Sequence, residues 1–204
     1  MCNSVHRLVE QQAAKSPDAV AIGDGARELT YRELNQRANV LARRLTESGL
    51  TRGSLARVRM PRGVDLSVVL LAVLKAGACY AWVEPGSPED VARLPVFCVI
   101  HGTERNDDRY LALNIQAALD ASVAKSGPNL PVLTRGTDVA CVLPDAQGRP
   151  HVLVPHSTIT SLPQAPATRV VSWQHGAGAL DLWLALMSGA TMSVGVTPPA
   201  TVAA

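Results

Sequence analysis

Apolar residues recur along this chain in two alternating patterns. In some segments they return about every three to four positions, as in a helix with one buried face, and in others they form the short runs of buried strands. The first pattern predicts helices at 5–14, 30–48, 65–75, 110–123, 157–162 and 180–187. The second predicts strands at 19–22, 55–60, 79–83, 95–100, 138–143, 151–154, 169–173 and 190–196, with a loop at 125–135.

The helix that follows Thr30 has the clearest start signal. Thr30 and Glu33 have the spacing of a capping box, in which each side chain binds a backbone N–H of the first turn. Beyond them Leu34, Leu41 and Leu45 share one face, and charged residues fill the opposite face. We therefore expect this helix to pack one side on a core.

The helix at 65–75 is apolar on nearly all sides and lies between two predicted strands, 55–60 and 79–83. A strand, an apolar crossover helix and a second strand are typical of parallel strands covered on both faces. The pattern therefore predicts an α/β fold with a mainly parallel, twisted sheet flanked by helices.

Composition excludes several function classes. The 204 residues are 47% hydrophobic and 18% charged, which is enough apolar material for a buried core. Nineteen basic residues are spread along the chain and aromatic residues make up 3%, whereas a nucleic-acid surface needs clustered cations and stacking rings. The longest apolar run, 66–74, is about half of the roughly 20 residues that cross a bilayer. The first residues lack the layout of a signal peptide, so we expect a cytoplasmic protein that binds neither nucleic acid nor membrane.

The four cysteines, Cys2, Cys79, Cys98 and Cys141, are widely scattered. They form no Cys-x-x-Cys pair, and no histidine lies at ligand spacing from them. We expect buried, reduced thiols rather than disulfides or a metal site.

Two motifs resemble those of a known enzyme family. Residues 29–34 read L-T-Y-R-E-L, and residues 74–85 read L-K-A-G-A-C-Y-A-W-V-E-P. Through them, residues 5–90 resemble the beginning of the adenylation domain of nonribosomal peptide synthetases, which belongs to the superfamily of adenylate-forming enzymes. The resemblance implies the fold of that family's N-terminal subdomain, where both motifs are scaffold and say little about activity. Trp82 and Glu84 replace the family's Pro and Asp, through either drift or repacking of the core.

The family's next motif, D-L-A-Y-V-I-Y-T-S-G-S-T-G-x-P-K-G-V, wraps the phosphates of ATP. Small side chains let successive N–H groups converge on an anion, while hydroxyls and a cation offset its charge. Here residues 138–155 read D-V-A-C-V-L-P-D-A-Q-G-R-P-H-V-L-V-P, with a shorter run in place of the Gly, Ser and Thr residues and a histidine in place of the lysine. The degenerate positions are Pro144, Asp145, Ala146, Gln147, Gly148 and His151. The resemblance therefore implies that the grip on phosphate is lost.

A second motif departs from the family independently. The family's F-D-x-S-V-W-[ED]-[IL]-[FW] supplies a carboxylate that pairs with the α-ammonium of the amino-acid substrate. In residues 173–183, W-Q-H-G-A-G-A-L-D-L-W, Gly176 falls where that carboxylate belongs. Asp181 occupies a position that is already acidic in the family, on a predicted helix, so we do not expect it to replace the missing group.

The family sequence also continues well beyond the last residue of this chain, with the ribose-binding Asp and a mobile C-terminal lobe that carries the catalytic Lys. We therefore interpret residues 1–196 as a truncated adenylation-like domain and 197–204 as a linker or tail. The first hypothesis is a catalytically inactive structural or interaction module of a peptide synthetase, without catalytic residues, cofactor or metal. Its expected partner is a neighbouring condensation or carrier-protein domain, or a second copy of the chain.

Three alternatives stay open: residual binding of a small molecule or carrier-bound substrate, a half-enzyme complemented in trans, and a piece of a longer polypeptide. His151 and His156 could form a proton-transfer pair, but no nucleophile or acid lies near them in sequence, so we expect ordinary polar contacts. His175, beside glycines, is either a ligand or part of a remodelled loop, and we expect the latter.

Overall fold

The strands of the described chain form two sheets. The computed structural model describes residues 4–85, 97–101, 111–114, 127–131, 134–144, 150–163, 166, 170–173 and 179–195. In chain order the strands are β1 (Val20–Gly23), β2 (Glu28–Thr30), β3 (Leu55–Arg59), β4 (Cys79–Val83), β5 (Cys98–His101), β6 (Leu111–Asn114), β7 (Val139–Pro144), β8 (Pro150–Pro155), β9 (Val170–Trp173) and β10 (Thr191–Val194). A four-stranded sheet has the order β2-β1-β10-β9, and a six-stranded sheet has the order β6-β5-β3-β4-β7-β8.

Most strand pairs are parallel, as the sequence predicts. Only β1 with β2 and β7 with β8 pair antiparallel among the described strands. The α/β prediction is therefore confirmed, but the division into two sheets was not predicted. It depends on the pairing of β1 with β10, in which Ile22 lies opposite Met192. Local periodicity carries no information about a partner so distant in sequence.

Helices connect the two sheets. They are α1 (Val5–Lys15), α2 (Tyr31–Glu47), α3 (Val64–Lys75), α4 (His156–Ser161) and α5 (Leu180–Ser188). Helix α3 packs on β4 of the six-stranded sheet, and α5 packs on β9 and β10 of the four-stranded sheet. Helix α2 contacts both α3 and the strands β1 and β2, so one core joins the two sheets.

One predicted element is wrong. The sequence predicts a helix at 110–123, but Leu111–Asn114 forms β6, which pairs parallel with β5. This short run lies at the edge of the sheet, where backbone hydrogen bonding to β5 outweighs a weak helical pattern. The remainder of that predicted helix, 115–123, lies outside the described residues. The other predicted helices and strands are confirmed where the chain is described.

Helix α2 begins as predicted. The Thr30 side chain accepts from the backbone N–H of Glu33, while the Glu33 carboxylate accepts from the backbone N–H of Thr30 at 2.8 Å. The next residue, Tyr31, is fully buried, and its hydroxyl donates to the backbone oxygen of Ala190 at 2.8 Å. The start of α2 is therefore fastened to the four-stranded sheet.

Helix α3 is buried on all sides, including its last residue. The Lys75 ammonium, with a side chain 0% exposed, donates to the Glu10 carboxylate of α1 and to Asn129 Oδ1 at 3.4 Å. Asn129 Oδ1 also accepts from Asn39 of α2 at 3.0 Å. A buried charge needs such partners, and this network fastens α1, α2 and α3 to the segment 127–131.

The described thiols are those that the sequence predicts. Cys79, Cys98 and Cys141 are buried and unpaired, and burial raises the pKa of the Cys98 thiol to about 11. Cys2 lies outside the described residues. Within the described ranges, none of the helices has both the length and the apolar character needed to cross a bilayer.

Candidate functional site

The hairpin of β7 and β8 lies where the sequence predicts a degenerate phosphate loop. Its strands pair from Val139 opposite Pro155 to Pro144 opposite Pro150. The connecting residues 145–149, called the turn below, lie outside the described residues. Because β7 runs parallel to β4, the end of β7 lies at the carboxyl-terminal edge of the six-stranded sheet. Open α/β sheets bind their ligands at that edge. The hairpin is thus formed in the place where a phosphate site is expected.

The opposite end of the hairpin is held by Asp138. Its carboxylate accepts from Arg52 Nε and Nη2, both at 2.8 Å, and from the backbone N–H of Arg135, also at 2.8 Å. These hydrogen bonds lower the pKa of Asp138 to about 2, and the hydrogen bonding by Arg52 is the largest cause. The Asp138 backbone oxygen accepts from the N–H of His156 at 3.0 Å. The base of the hairpin is therefore held by contacts that do not involve the turn.

The predicted site residues are only partly within the described chain. Pro144 ends β7, and His151 is the second residue of β8. Asp145, Ala146, Gln147 and Gly148, all in the turn, lie outside the described residues, as do Gly176 and His175. Asp181 lies in the first turn of α5 and is partly buried. Degeneracy at these positions remains a prediction from the sequence.

An aromatic cluster joins the carboxyl-terminal ends of β4 and β9. The Arg62 guanidinium carbon lies 4.9 Å from the ring centroid of Trp82 and 6.0 Å from that of Trp173. The two indoles are 5.6 Å apart, and Trp82 Nε1 donates to the Met60 backbone oxygen at 3.0 Å. Arg62 also pairs with Glu84 at 3.5 Å. Trp82 and Glu84, which replace the family's Pro and Asp, therefore contact one buried cation.

The indole N–H of Trp173 is a further feature of this edge. Its Nε1 atom is buried and has no hydrogen-bond partner among the described residues. A buried N–H without an acceptor costs about 1–3 kcal/mol. Trp173 directly precedes the segment 174–178 in sequence, which contains Gly176, the position of the lost carboxylate predicted above.

His156 makes the ordinary polar contact that the sequence analysis favours. It is 1% exposed, and its Nδ1 accepts from the backbone N–H of Val5 at 3.2 Å. Its nearest aromatic neighbour is His6, with ring centroids 5.8 Å apart. No contact with His151 is described, because the side chain of His151 lies outside the described part of the structure.

Sequence reasoning missed His6 and Glu10. Both lie on α1 on the same face as Val9 and Ala13, and all four are buried. Polar residues on the apolar face of an amphipathic helix were the available signal, because a buried polar side chain needs a partner. The partners themselves, His156 and Lys75, come from other helices and could not be read from local spacing.

The comparisons with known proteins agree with this architecture. Residues 9–94 match the AMP-binding enzyme family. Along 92% of its length, the chain is 30% identical to tyrocidine synthase 3 of Brevibacillus parabrevis. The chain belongs to the AMP-binding enzymes, among the adenylation domains of nonribosomal peptide synthetases. Over 43% of its length it is 48% identical to the phosphinothricin tripeptide synthetase PhsB of Streptomyces viridochromogenes.

Solved structures show the same fold. An artificially fused adenylation-PCP di-domain, NpsA-ThdA of Klebsiella oxytoca, superposes with a TM-score of 0.82 over 98% of this chain, at 24% identity. The NpsA N-terminal subdomain alone gives the same TM-score at 23% identity. This chain spans 3% of tyrocidine synthase 3, 8% of PhsB, and 40% and 56% of the two solved chains. At this level of identity, the structural similarity establishes the fold alone.

Proposed function

We propose that this adenylation-like domain does not adenylate an amino acid and acts as a structural or interaction module of a nonribosomal peptide synthetase. The observation that carries the proposal is the hairpin of β7 and β8. Its base is held by Asp138 and Arg52, whereas residues 144–151 contain no Ser, Thr or Lys. The scaffold of a phosphate loop is kept without the groups that hold phosphate.

The charge of the turn supports the same conclusion. Asp145 places a carboxylate in the turn, and a carboxylate repels the phosphates of ATP. The cation of the turn, Arg149, stands at a position that varies in the family motif. His151 stands at the Lys position, and an imidazole, unlike an ammonium, is not a permanent cation at neutral pH. The fixed positive charge that the family motif places at its Lys position is therefore missing.

An interaction role is supported by apolar side chains on two outer strands. Val152 and Leu153 of β8 are 49% and 60% exposed, and Val170 of β9 is 46% exposed. Among the described residues, β8 is an edge strand of the six-stranded sheet and β9 is an edge strand of the four-stranded sheet. Adjacent residues on a strand point to opposite faces, so β8 exposes apolar side chains on both faces. Such a strand suits contact with a neighbouring condensation or carrier domain, or with a second copy.

The first experiment is amino-acid-dependent ATP–pyrophosphate exchange on the purified chain, with an active adenylation domain as the positive control. We expect no exchange with any proteinogenic amino acid, alone or with the neighbouring synthetase domains. Exchange above background would overturn the proposal, and exchange only with the neighbouring domains would establish the complemented half-enzyme instead.

A second experiment distinguishes an interaction module from an inactive domain that has no role in the synthetase. In the intact synthetase, deletion of this domain should lower product formation, whereas Asp145→Ala in the turn should leave it unchanged. Unchanged product formation after the deletion would contradict the interaction role.

Residual ligand binding is the second candidate, favoured by the buried indole N–H of Trp173. It predicts a thermal shift with ATP, an amino acid or an aminoacyl adenylate analogue, because a ligand at about one hundred times its Kd stabilises by about 2.7 kcal/mol. Trp173→Phe removes the N–H and keeps a ring, so it should abolish a specific shift. Equal shifts in both proteins would exclude this role of Trp173.

A further inference from the structure

Helix α1 begins without a cap from its own segment. Ser4 is its N-cap residue, but the Ser4 hydroxyl makes no hydrogen bond to the backbone of the first turn. Instead, Ser4 Oγ lies 3.3 Å from Nε2 of His6. The backbone N–H of Val5, the first residue of the helix, donates to Nδ1 of His156 at 3.2 Å. The first N–H groups of a helix have no partner within it, so His156 caps α1 from a distant part of the chain.

This contact defines the proton position of His156, and the Ser4 hydroxyl beside His6 is compatible with a complementary tautomer of that ring. Because Nδ1 of His156 accepts, the proton of the neutral ring is on Nε2, and that buried atom has no partner among the described residues. His6 leaves its Nδ1 buried and similarly without a described partner. If His6 donates from Nε2 to Ser4, its Nδ1 is an acceptor. In that tautomer one ring has an unused donor and the other an unused acceptor; the ring centroids are 5.8 Å apart and the planes meet at 80°, with no hydrogen bond between the two atoms.

We propose that His156 and His6 form an acid-labile latch, in which two neutral imidazoles with complementary tautomers cap helix α1 and hold it against the start of helix α4. The latch opens when either ring gains a proton. A proton on His156 must occupy Nδ1, where it removes the acceptor for Val5 N–H. A proton on Nδ1 of His6 leaves two N–H donors, one from each ring, without an acceptor between them.

The surroundings oppose that proton. His6 and His156 are 2% and 1% exposed, and burial is the main reason that the pKa of His6 falls to about 3 and that of His156 to about 4. His6 also faces His156, Lys75 of α3 and Arg7 of α1, which lower its pKa further. His156 faces Asp138, which raises its pKa, but Asp138 is paired with Arg52. In addition, the N-terminus of α1 carries a partial positive charge that disfavours a cation at this point.

The direction of the pH effect follows from linkage. Both rings have a lower pKa in the folded chain than the ordinary value of about 6.5, so the unfolded chain binds protons first. The stabilisation contributed by the two neutral rings is fully present above about pH 6.5. It is lost as the pH falls towards about 4, the pKa of His156, and then towards about 3, the pKa of His6. Between these limits, each ring lowers the folding equilibrium constant by up to about tenfold per pH unit.

The decisive variant is His156→Asn, whose side-chain oxygen can accept from Val5 N–H but cannot be protonated in this range. We measure the folding equilibrium constant by urea unfolding between pH 6 and 4. In the unmodified chain it should fall more steeply with decreasing pH than in this variant, by up to about an additional factor of ten per pH unit. His6→Gln should also flatten the profile. Thr158→Asn, which introduces the same side chain at an exposed, non-titrating position of α4, is the control and should leave the profile unchanged. Parallel profiles for all four proteins would overturn the proposal.

A measurement on the unmodified chain keeps the proposal testable if a variant fails to fold. Nitrogen NMR of the imidazoles should show His156 protonated at Nε2 and not at Nδ1 at pH 7, with neither His6 nor His156 titrating above pH 5. Amide exchange at the start of α1 should accelerate below that pH before exchange in α3 does. An Nδ1-protonated His156, or titration of either ring near pH 6.5, would refute the latch.

Discussion

The buried ion pair of Glu10 and Lys75 gives a quantitative prediction. The two side chains are 4% and 0% exposed, and they join α1 to the end of α3. Glu10→Leu would leave the Lys75 ammonium buried, with Asn129 Oδ1 at 3.4 Å as its other described acceptor. Removing one partner of a buried pair costs about 3–5 kcal/mol.

Deprotonation of Lys75 sets an upper limit on this cost. Burial is the first cause that lowers the pKa of Lys75, and the attraction of Glu10 opposes it. Without Glu10, the chain can fold with a neutral Lys75. Releasing a proton at pH 7 from a lysine of pKa about 10.4 costs about 4.6 kcal/mol. We therefore expect Glu10→Leu to lower the free energy of unfolding by about 3 to 4.6 kcal/mol at pH 7.

Urea unfolding followed by circular dichroism tests this in a double-mutant cycle. Glu10→Leu combined with Lys75→Met should recover most of the loss, because two apolar side chains replace the pair without a buried charge. The loss in Glu10→Leu alone should shrink as the pH rises towards 10, since the unfolded chain then gives up its proton as well. The exposed pair of Asp18 and Arg32 is the control, and Asp18→Asn should cost at most about 1 kcal/mol. Additive effects of the two core substitutions, or a cost of Glu10→Leu as small as that of Asp18→Asn, would refute the reasoning.

Four further predictions can be checked by the same unfolding assay. Thr30→Ala removes the capping box of α2 and should cost about 1 kcal/mol. Arg62→Met removes the cation over Trp82 and should cost about 0.5–2 kcal/mol, with a change in indole fluorescence. Gly189→Ala should cost about 1 kcal/mol or more, because Gly189 ends α5 with a φ of +86°. Asp138→Asn should remove a stabilisation that is present above about pH 3.9 and is lost in the unmodified chain as the pH falls towards about 2, because the folded carboxyl has the lower pKa.

Local signals predicted those parts of the fold that depend on neighbouring residues. The cap of α2 was visible because Thr30 and Glu33 are three positions apart and need no distant partner. The buried helix α3 was visible because its apolar residues cover all faces. Strand β6 was not visible, because Leu111–Asn114 becomes a strand only beside β5.

The candidate site likewise has a part that local sequence patterns predicted and a part that they did not. The hairpin was predictable, because two short apolar runs flank a segment with Pro and Gly. The contact of His156 with Val5 joins residues 151 positions apart, and the aromatic cluster joins Trp82 to Trp173. Such long-range pairs are decided by the packing of helices and sheets, which local patterns in a single sequence do not reveal.

The motif residues that reveal the family have structural tasks in this chain. Tyr31 fastens α2 to Ala190, Lys75 holds α1, and Gly77 ends α3 with a φ of +83°. Tyr80 accepts a hydrogen bond from Trp183 Nε1 at 2.6 Å in the core. Each of these features joins elements of the fold or ends a helix, which is a structural role. The motifs therefore indicate the fold and say little about catalysis, so activity has to be decided at the turn 145–149 and at Gly176.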